Sequence, residues 1–220
     1  KVYLFDKDSG TPLWSYATTG NEVMVAISAD GEYIAASTGG NDDKVYLFDK
    51  DSSTPLWSYS TGGYVYSASI SADGEYIAAG SQDEKVYLFD KDSNTPLWNY
   101  TTGHYAISVS ISADGEYIAT GSDNKVYLFD KDSSTPLWSY DTGDTVRSVA
   151  ISADSEYIAA GSDDKKVYLF DKDSSTPLWS YTAGSHVYSV AISADGEYIV
   201  AGSEDSKVYL FDKNSNTPLW

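Results

Sequence analysis

Few residues of this sequence could take part in catalysis. It has two histidines, His104 and His186, and no cysteine. A thiol nucleophile, a disulfide and a thiolate metal site are therefore excluded. No distinctive nucleophile motif accompanies either histidine, so we assign no catalytic residue and expect a protein that is not an enzyme.

Carboxylates could in principle hold a divalent cation. Asp6 and Asp8 have the Asp-x-Asp spacing of a calcium loop, and the same loop recurs along the chain. Calcium prefers about six to eight oxygen ligands, commonly with one bidentate carboxylate, and a loop with so few carboxylates falls short. We therefore predict no metal ligand and no cofactor, and keep calcium as the weaker alternative.

Residues suited to partner binding lie in short loops that differ from one another, or just inside the strand that follows such a loop, whereas the rest of the sequence repeats almost unchanged. Variation confined to one set of loops is typical of the ligand face of a repeat protein. Aromatic and basic side chains often carry the affinity of such a face. The candidate partner-binding residues are Tyr66, His104, Tyr105, Arg147, His186 and Tyr188.

An internal repeat determines the elements that position these residues. KVYLFDKDSGTPLW, at residues 1–14, returns at Lys44, Lys85, Lys125, Lys166 and Lys207, with a period of about 41 residues. A second unit, typified by VYSVAISADGEYIVAGS at residues 187–203, lies between successive copies. Such a period indicates stacked or radial units, because one unit alone cannot bury its apolar faces.

Each period is predicted to contain four short strands, which we name A (VYSVAIS), B (EYIAAGS), C (KVYLFD) and D (TPLWSY). Alternating apolar residues favour strands, and Asp-Gly in the A–B turn is a strong hairpin signal. Strand C is apolar on both faces, which predicts burial on both sides. Short turns make neighbouring strands antiparallel, and a radial array of such units is a β-propeller.

The numbers of strand pairs differ, since the sequence contains six C–D pairs and five A–B pairs. We therefore predict a single all-β domain over residues 1–220: a β-propeller of four-stranded antiparallel blades, with five whole blades, an N-terminal half blade and six blade positions. The half blade comprises residues 1–16, and the blades cover about 22–59, 65–100, 106–140, 146–181 and 187–220. Because the half blade lacks its A–B pair, we expect an exposed strand edge and self-association.

Three local details carry further expectations. One tryptophan per unit, from Trp14 to Trp220, is predicted to pack as a wedge between neighbouring units. The fourth A–B turn has Ser155 where the others have glycine, and a positive φ there would cost about 1 kcal/mol. In the C–D loops, a positive φ is expected at Gly10 and its counterparts.

Two segments resemble known families. SADGEYIAAGSQDEKVYLFD, at residues 71–90, resembles a WD repeat, with Phe-Asp in place of Trp-Asp at the end of strand C. LFDKDSGTPLW is similar to the tryptophan-docking motif of quinoprotein-type propellers, whose positions are occupied by Leu4, Asp6, Ser9, Gly10 and Trp14. The resemblance extends over the whole chain, and near-identical tandem propellers resemble those of microbial cell-surface proteins. It implies the fold and leaves activity open, because propellers host many functions.

The formal net charge of −19 excludes some classes of partner. Nucleic acid and anionic lipid both require basic surfaces, and this sequence has no basic patch. No run of about eighteen apolar residues is present, so we predict no membrane insertion. The acidic residues concentrate in the A–B turns and C–D loops, which should share one face of the propeller, opposite the D–A and B–C loops that carry the candidate residues.

These observations favour a non-catalytic binding or architectural module, extracellular or on a microbial cell surface, although a cytoplasmic location stays open. Its partner would be a protein or glycan on the face formed by the D–A and B–C loops. One alternative is a lectin-like propeller with repeated sugar sites. The other is a quinone-dependent dehydrogenase, which would need a specialised cofactor pocket that near-identical blades do not supply.

Overall fold

The computed structural model describes residues 1–220, as six sequential antiparallel sheets. The half blade contains β1 (Val2–Phe5) and β2 (Pro12–Tyr16). Blade 1 contains β3 (Glu22–Ile27), β4 (Tyr33–Gly39), β5 (Lys44–Asp49) and β6 (Trp57–Ser60). Blade 2 contains β7 (Val65–Ile70), β8 (Tyr76–Ser81), β9 (Lys85–Asp90) and β10 (Trp98–Thr101). Blade 3 contains β11 (Ser108–Ile111), β12 (Tyr117–Gly121), β13 (Lys125–Asp130) and β14 (Trp138–Asp141). Blade 4 contains β15 (Val146–Ile151), β16 (Tyr157–Ser162), β17 (Lys166–Asp171) and β18 (Trp179–Thr182). Blade 5 contains β19 (Val187–Ile192), β20 (Tyr198–Ser203) and β21 (Lys207–Asp212).

The strands of each blade pair in the order A, B, C, D, which confirms the predicted β-propeller of four-stranded antiparallel blades. Blade 5 has three strands, followed by a segment that begins the D position. There the Leu219 N–H donates to the Leu210 C=O at 2.7 Å, as the Leu178 N–H does to the Leu169 C=O at 2.7 Å in blade 4. The structure contains no helix that is long and apolar enough to span a membrane.

Strand C forms the core of each blade. In blades 1 to 4 its Val, Tyr, Leu and Phe side chains are at most 5% exposed. Both faces of the strand are therefore covered, as the sequence predicted. The reason is that apolar residues on both faces can be buried only between two neighbouring blades.

The tryptophan of strand D joins one blade to the next. The Trp57 ring lies 5.3 Å from the Phe89 ring, and its indole N–H donates to the Lys91 C=O at 2.7 Å. The same pair of contacts is made by Trp14, Trp98, Trp138 and Trp179. The predicted wedge is confirmed at these five positions, whereas Trp220 is 66% exposed.

Serine side chains connect the A strands of neighbouring blades at the centre of the ring. The Ser67 and Ser69 hydroxyls accept hydrogen bonds from the backbone N–H groups of Val109 (3.3 Å) and Ile111 (3.2 Å). The pattern recurs at Ser108, Ser110 and Ser148. These bonds satisfy backbone donors that strand pairing within a single sheet leaves free.

The A–B turns and C–D loops share one face, which we call the turn face. The Lys91 ammonium in a C–D loop lies 3.1 Å from the Glu75 carboxylate in the A–B turn of the same blade. Equivalent ion pairs occur in blades 1, 3, 4 and 5. The expected grouping of these acidic loops on one face is therefore observed.

The C–D loops use their carboxylates to hold their own backbone. The Asp90 carboxylate accepts the Asp92 N–H at 2.8 Å, and the Ser93 hydroxyl accepts the Thr95 N–H at 3.0 Å. The expected positive φ at Gly10 and its counterparts is wrong, since none of these residues has one. Side-chain caps close the loop instead, and serine therefore suits this position as well as glycine does.

The A–B turns do require a positive φ. Gly74 has a φ of 75°, and Ser155 has a φ of 65° at the same position. The Ser155 hydroxyl also donates to the Asp114 carboxylate of the preceding blade at 3.0 Å. The serine therefore combines backbone strain with a bond between blades that glycine cannot make.

Candidate binding face

The D–A and B–C loops form the face opposite the turn face, which we call the loop face. Three candidate residues lie on β-bulges at the start of strand A: Tyr66, Arg147 and Tyr188 occupy the register shifts in β7, β15 and β19. A bulge residue leaves the alternation of its strand, so its side chain takes a new direction. Two of them, Tyr66 and Arg147, line one depression together with strand A residues of blades 1 to 3.

Strand A of blade 1 has no bulge. Val23 pairs directly with Thr38, in unbroken register through to Ile27. Val23 therefore corresponds to Val65 of blade 2, and Tyr66 is the additional residue of the bulge. The signal was present in the sequence, because VMVAIS in blade 1 is one residue shorter than VYSASIS in blade 2.

Tyrosine rings form a row along the loop face. The Tyr64 and Tyr66 rings stack at 4.9 Å, and Tyr66 lies 6.0 Å from Tyr105. The Tyr64 hydroxyl donates to the Glu22 carboxylate. Burial and this bond raise the pKa of Tyr64 to about 12, and burial followed by the Tyr105 charge raises the pKa of Tyr66. Tyr64 and Tyr66 therefore present neutral aromatic surfaces at physiological pH.

Two depressions adjoin this row and share the side chains of Ile107 and Arg147. One, of about 380 Å³, is lined by Glu84, His104, Tyr105 and Asp123 among others. The other, of about 430 Å³, is lined by strand A residues of four blades and includes Tyr66. The structure thus brings together four of the six candidates.

The remaining two candidates join this group through a buried carboxylate. The Arg147 Nε donates to Asp163 at 2.8 Å, and the His186 Nδ1 lies 3.4 Å from the other oxygen of that carboxylate. The His186 and Tyr188 rings stack at 6.2 Å, and the Tyr188 hydroxyl donates to Glu204 at 3.1 Å. The bond to Asp163 raises the pKa of Arg147 and compensates its charge, so the depressions keep an acidic character.

This arrangement holds no pair of nucleophile and base. The His104 Nε2 lies 3.8 Å from Asp123, and His186 lies between Asp163 and Glu204. The Ser185 hydroxyl, beside His186 in the sequence, donates to Glu204 at 2.7 Å instead. No group of three or more His, Cys, Asp or Glu side chains is placed to hold a metal ion. The face presents aromatic rings, carboxylates and the Arg147 guanidinium, which its bond to Asp163 fixes in place. Groups of these kinds serve binding.

Sequence reasoning missed four residues of the loop face. Tyr64 lies two residues before Tyr66 in a D–A loop, and its stacking was not anticipated. Glu22, Asp163 and Glu204 position the candidates through hydrogen bonds. The sequence did contain a signal for these carboxylates, because acidic residues flank strands A and B beside the variable positions.

Comparison with known proteins identifies the family. A search of curated proteins finds no match to the chain. The family model described as outer membrane protein assembly factor BamB matches residues 41–193 and 122–220. The predicted quinoprotein-type propeller is thus confirmed, while the likeness to WD repeats and to cell-surface propellers stays a prediction. The chain belongs to this BamB-like family of quinoprotein-type β-propeller repeats.

Proposed function

We propose that this propeller is a protein-binding module, and not an enzyme, whose loop face holds a flexible segment of a partner protein. The observation that carries the proposal is the convergence of Tyr66, Tyr105 and Arg147 on two adjoining depressions. Tyrosine and arginine are enriched among the residues that dominate binding energy at interfaces. The description of the matched family as an assembly factor supports a role in holding other proteins.

The charges around the depressions indicate the chemistry of the partner. Glu84 and Asp123 line the first depression, whereas the charge of Arg147 is already compensated by Asp163. A lysine or arginine of the partner could lie over a tyrosine ring and reach these carboxylates. The net charge of −19 would draw a basic segment toward the propeller from a distance.

Panning a phage-displayed peptide library on the wild-type chain tests the proposal. We expect enrichment of peptides that combine basic and aromatic residues. The affinity of one enriched peptide is then measured by fluorescence anisotropy for Tyr66→Ala, Arg147→Ala and Tyr188→Ala. Each should lose more than about 1 kcal/mol of binding free energy, about fivefold in Kd.

Glu75→Gln provides the matched control, because Glu75 lies on the turn face. It should change the affinity far less than Tyr66→Ala does. If the ranking is reversed, the turn face is the working surface and the assignment of faces is wrong.

A lectin-like function is the second candidate, and the row of stacked tyrosines favours it. A glycan array probed with the wild-type chain and Tyr66→Ala separates the two functions. Glycan binding that depends on Tyr66, without enrichment of any peptide, would replace the protein-binding proposal. Assay of the chain with added quinone and calcium addresses the dehydrogenase alternative, for which we expect no turnover.

We propose that the protein is extracellular or on the cell surface. The words "outer membrane" in the description of the matched family support a location at the cell surface. Fractionation of source cells with an antibody against the chain tests it, and recovery in the cytoplasmic fraction alone would contradict it.

A further inference from the structure

The carboxylate of Asp163 lies at the joint between blades 4 and 5, and its side chain is 9% exposed. Its Oδ2 atom accepts hydrogen bonds from the Arg147 guanidinium, and the bond from Nε measures 2.8 Å. Its Oδ1 atom is buried and accepts no hydrogen bond. A buried carboxylate oxygen without a donor costs free energy, so this atom is a strong acceptor for a nearby N–H group.

The imidazole of His186, in the D–A loop that joins blades 4 and 5, faces this oxygen. Its Nδ1 atom lies 3.4 Å from Asp163 Oδ1, is also buried and has no hydrogen-bond partner. Its Nε2 atom lies 3.8 Å from the carboxylate of Glu204, in the B–C loop of blade 5. The ring therefore lies between carboxylates of two blades, with one nitrogen toward each.

These surroundings fit the protonated ring better than the neutral one. A neutral imidazole has one N–H group and can donate to only one of the two carboxylates, whereas the imidazolium donates from both nitrogens. Two nearby carboxylates also favour a positive charge on the ring. Because histidines commonly gain a proton between about pH 5 and 8, the protonation state of this joint can change under ordinary conditions.

The ring and Glu204 are held in position by their neighbours. The Tyr188 ring stacks on the His186 ring at 6.2 Å, with an interplanar angle of 9°. The Ser185 and Tyr188 hydroxyls donate to the Glu204 carboxylate at 2.7 and 3.1 Å. These two bonds, that of Ser185 first, lower the pKa of Glu204, so this carboxylate stays charged while a histidine titrates.

The remaining charges around the ring nearly balance. Arg147 on β15 binds Asp163 and has Asp144 within electrostatic range. Lys165 in the B–C loop of blade 4 acts in the same way on Glu204. These two cations and three carboxylates carry one net negative charge while the imidazole is neutral. One proton on the imidazole brings the cluster to zero, and Asp163 is then shared between two cations.

We propose that His186 is a proton switch at the joint between blades 4 and 5. In the protonated state it donates to Asp163 from Nδ1 and to Glu204 from Nε2, which ties the two blades together. The proton also removes the net negative charge of the cluster and leaves Arg147, which lines both depressions, less compensated. Acid therefore weakens the binding of a basic partner segment to the loop face, a consequence that rests on the proposed function.

His104 is the internal comparison. Its Nε2 atom lies 3.8 Å from Asp123, and these two side chains are 64% and 50% exposed. It therefore meets one solvated carboxylate, an arrangement that contributes little to stability. Since His104 and His186 are the two histidines of the chain, a variant that lacks both has no imidazole at all.

Thermal unfolding at about pH 8 and at about pH 5 tests the joint. His186→Gln should lower the melting temperature by about 2–4 °C more at the acid pH, because the imidazolium bonds form only there. The folded chain then binds more protons than the unfolded chain, so this contribution is complete in acid and is lost as the pH rises. His104→Asn should lower the melting temperature equally at both pH values. In a chain that carries Asp163→Asn, the extra loss caused by His186→Gln should disappear.

The ring N–H signals in a proton–nitrogen correlation spectrum of histidine-labelled protein provide a second readout. At about pH 5 both ring N–H protons of His186 should exchange with water slowly enough to be observed, since both donate to carboxylates. Those of His104 should not be observed. Glu204→Gln should weaken the Nε2 signal of His186 and leave its Nδ1 signal. This pattern separates a proton switch from a ring that only fills space, and it does not require Asp163→Asn to fold.

Binding of a basic peptide tests the consequence for the loop face. The probe is a rhodamine-labelled peptide of alternating lysine and tyrosine, whose charge is constant between about pH 5 and 8. In His104→Asn its affinity, measured by fluorescence anisotropy, should fall at least about threefold from the higher pH to the lower. In the double variant His104→Asn/His186→Gln this fall should disappear.

Equal losses of melting temperature at both pH values in His186→Gln would overturn the proposal. So would an affinity that is independent of pH in His104→Asn although the peptide binds. A peptide that binds at neither pH would instead count against the proposed function, and the unfolding and ring N–H measurements would still decide whether His186 is a switch.

Discussion

The joint between blades 3 and 4 and the open side of the half blade consist of the same repeat residues in different surroundings. Phe170 is fully buried beside Trp138 in the joint, whereas Phe5, at the same place in KVYLFD, is 51% exposed. No difference in local sequence explains this contrast. Burial in this protein is a property of neighbouring pairs of blades, and one hexapeptide can be core or surface according to what covers it.

The largest expected difference between the two regions comes from truncating the phenylalanine. Phe170→Ala should lower the free energy of unfolding by about 3–5 kcal/mol, because it leaves a cavity between blades. Phe5→Ala removes a side chain that is already half exposed and should cost less than about 1 kcal/mol. Urea unfolding followed by circular dichroism measures both. Equal losses would mean that the side of Phe5 is covered in solution.

High pH should weaken all the joints together. Burial, followed by the hydrogen bond to Asp164, raises the pKa of Tyr168, burial raises that of Tyr127 to about 12, and the Asp205 bond followed by burial raises that of Tyr209 to about 12. A tyrosine with a raised pKa in the folded state contributes stability that is complete below its unfolded pKa of about 10. That contribution is lost as the pH rises from about 10 through the folded pKa.

The melting temperature should therefore fall steeply above about pH 10, and phenolate absorbance should appear as the chain unfolds. Tyr168→Phe should make the loss less steep. A melting temperature that stays constant up to pH 11.5 would contradict the assigned pKa directions.

The hydrogen bond of the Trp138 indole should contribute less to the free energy of unfolding than the buried Phe170 side chain does. Trp138→Phe keeps an aromatic ring but leaves the Lys172 C=O without its donor. We expect a loss of about 1–2 kcal/mol. Trp220→Phe is the control, since its indole makes no equivalent bond, and it should change the melting temperature very little. A similar loss in both variants would assign the effect to ring size.

Replacing Ser155 by glycine should change the free energy of unfolding least, because the backbone strain of its positive φ and its hydrogen bond to Asp114 act in opposite directions. Ser155→Ala keeps the positive φ and loses the bond to Asp114, which should cost about 1 kcal/mol. Ser155→Gly also relieves about 1 kcal/mol of strain, so its net change should be near zero. Thermal unfolding of both variants separates the contribution of the hydrogen bond from that of the backbone strain. A clear gain in Ser155→Gly would mean that the bond to Asp114 adds nothing.

The bond at Ser155 also has a pH signature. Burial raises the pKa of Asp114, but bonds from Ser112, the Glu116 N–H and Ser155 outweigh it, and the pKa lies below its usual value. The stability from a depressed carboxyl is complete above about pH 4 and is lost as the pH falls through its folded pKa. The difference between the wild type and Ser155→Ala should therefore shrink in acid.

Much of the fold follows from the sequence because its causes are local and repeated. Alternation in KVYLFD predicts a strand covered on both faces, Asp-Gly predicts the A–B turn, and the spacing predicts the blade. The positive φ at Ser155 also follows from comparison with the other turns. At the candidate face, the sequence identified which loops vary and which aromatic and basic residues they carry.

Tertiary structure alone decided how those residues act. The bulges that redirect Tyr66 and Arg147 depend on register between strands A and B, which a list of apolar positions does not specify. The pairing of Arg147 with Asp163 joins the start of strand A to a B–C loop, so its partner cannot be found by proximity in sequence. The exposure of Val25 depends on whether another blade lies against it. Strands and turns are encoded within a few residues, whereas burial and charge pairing depend on contacts that form only when neighbouring blades pack together.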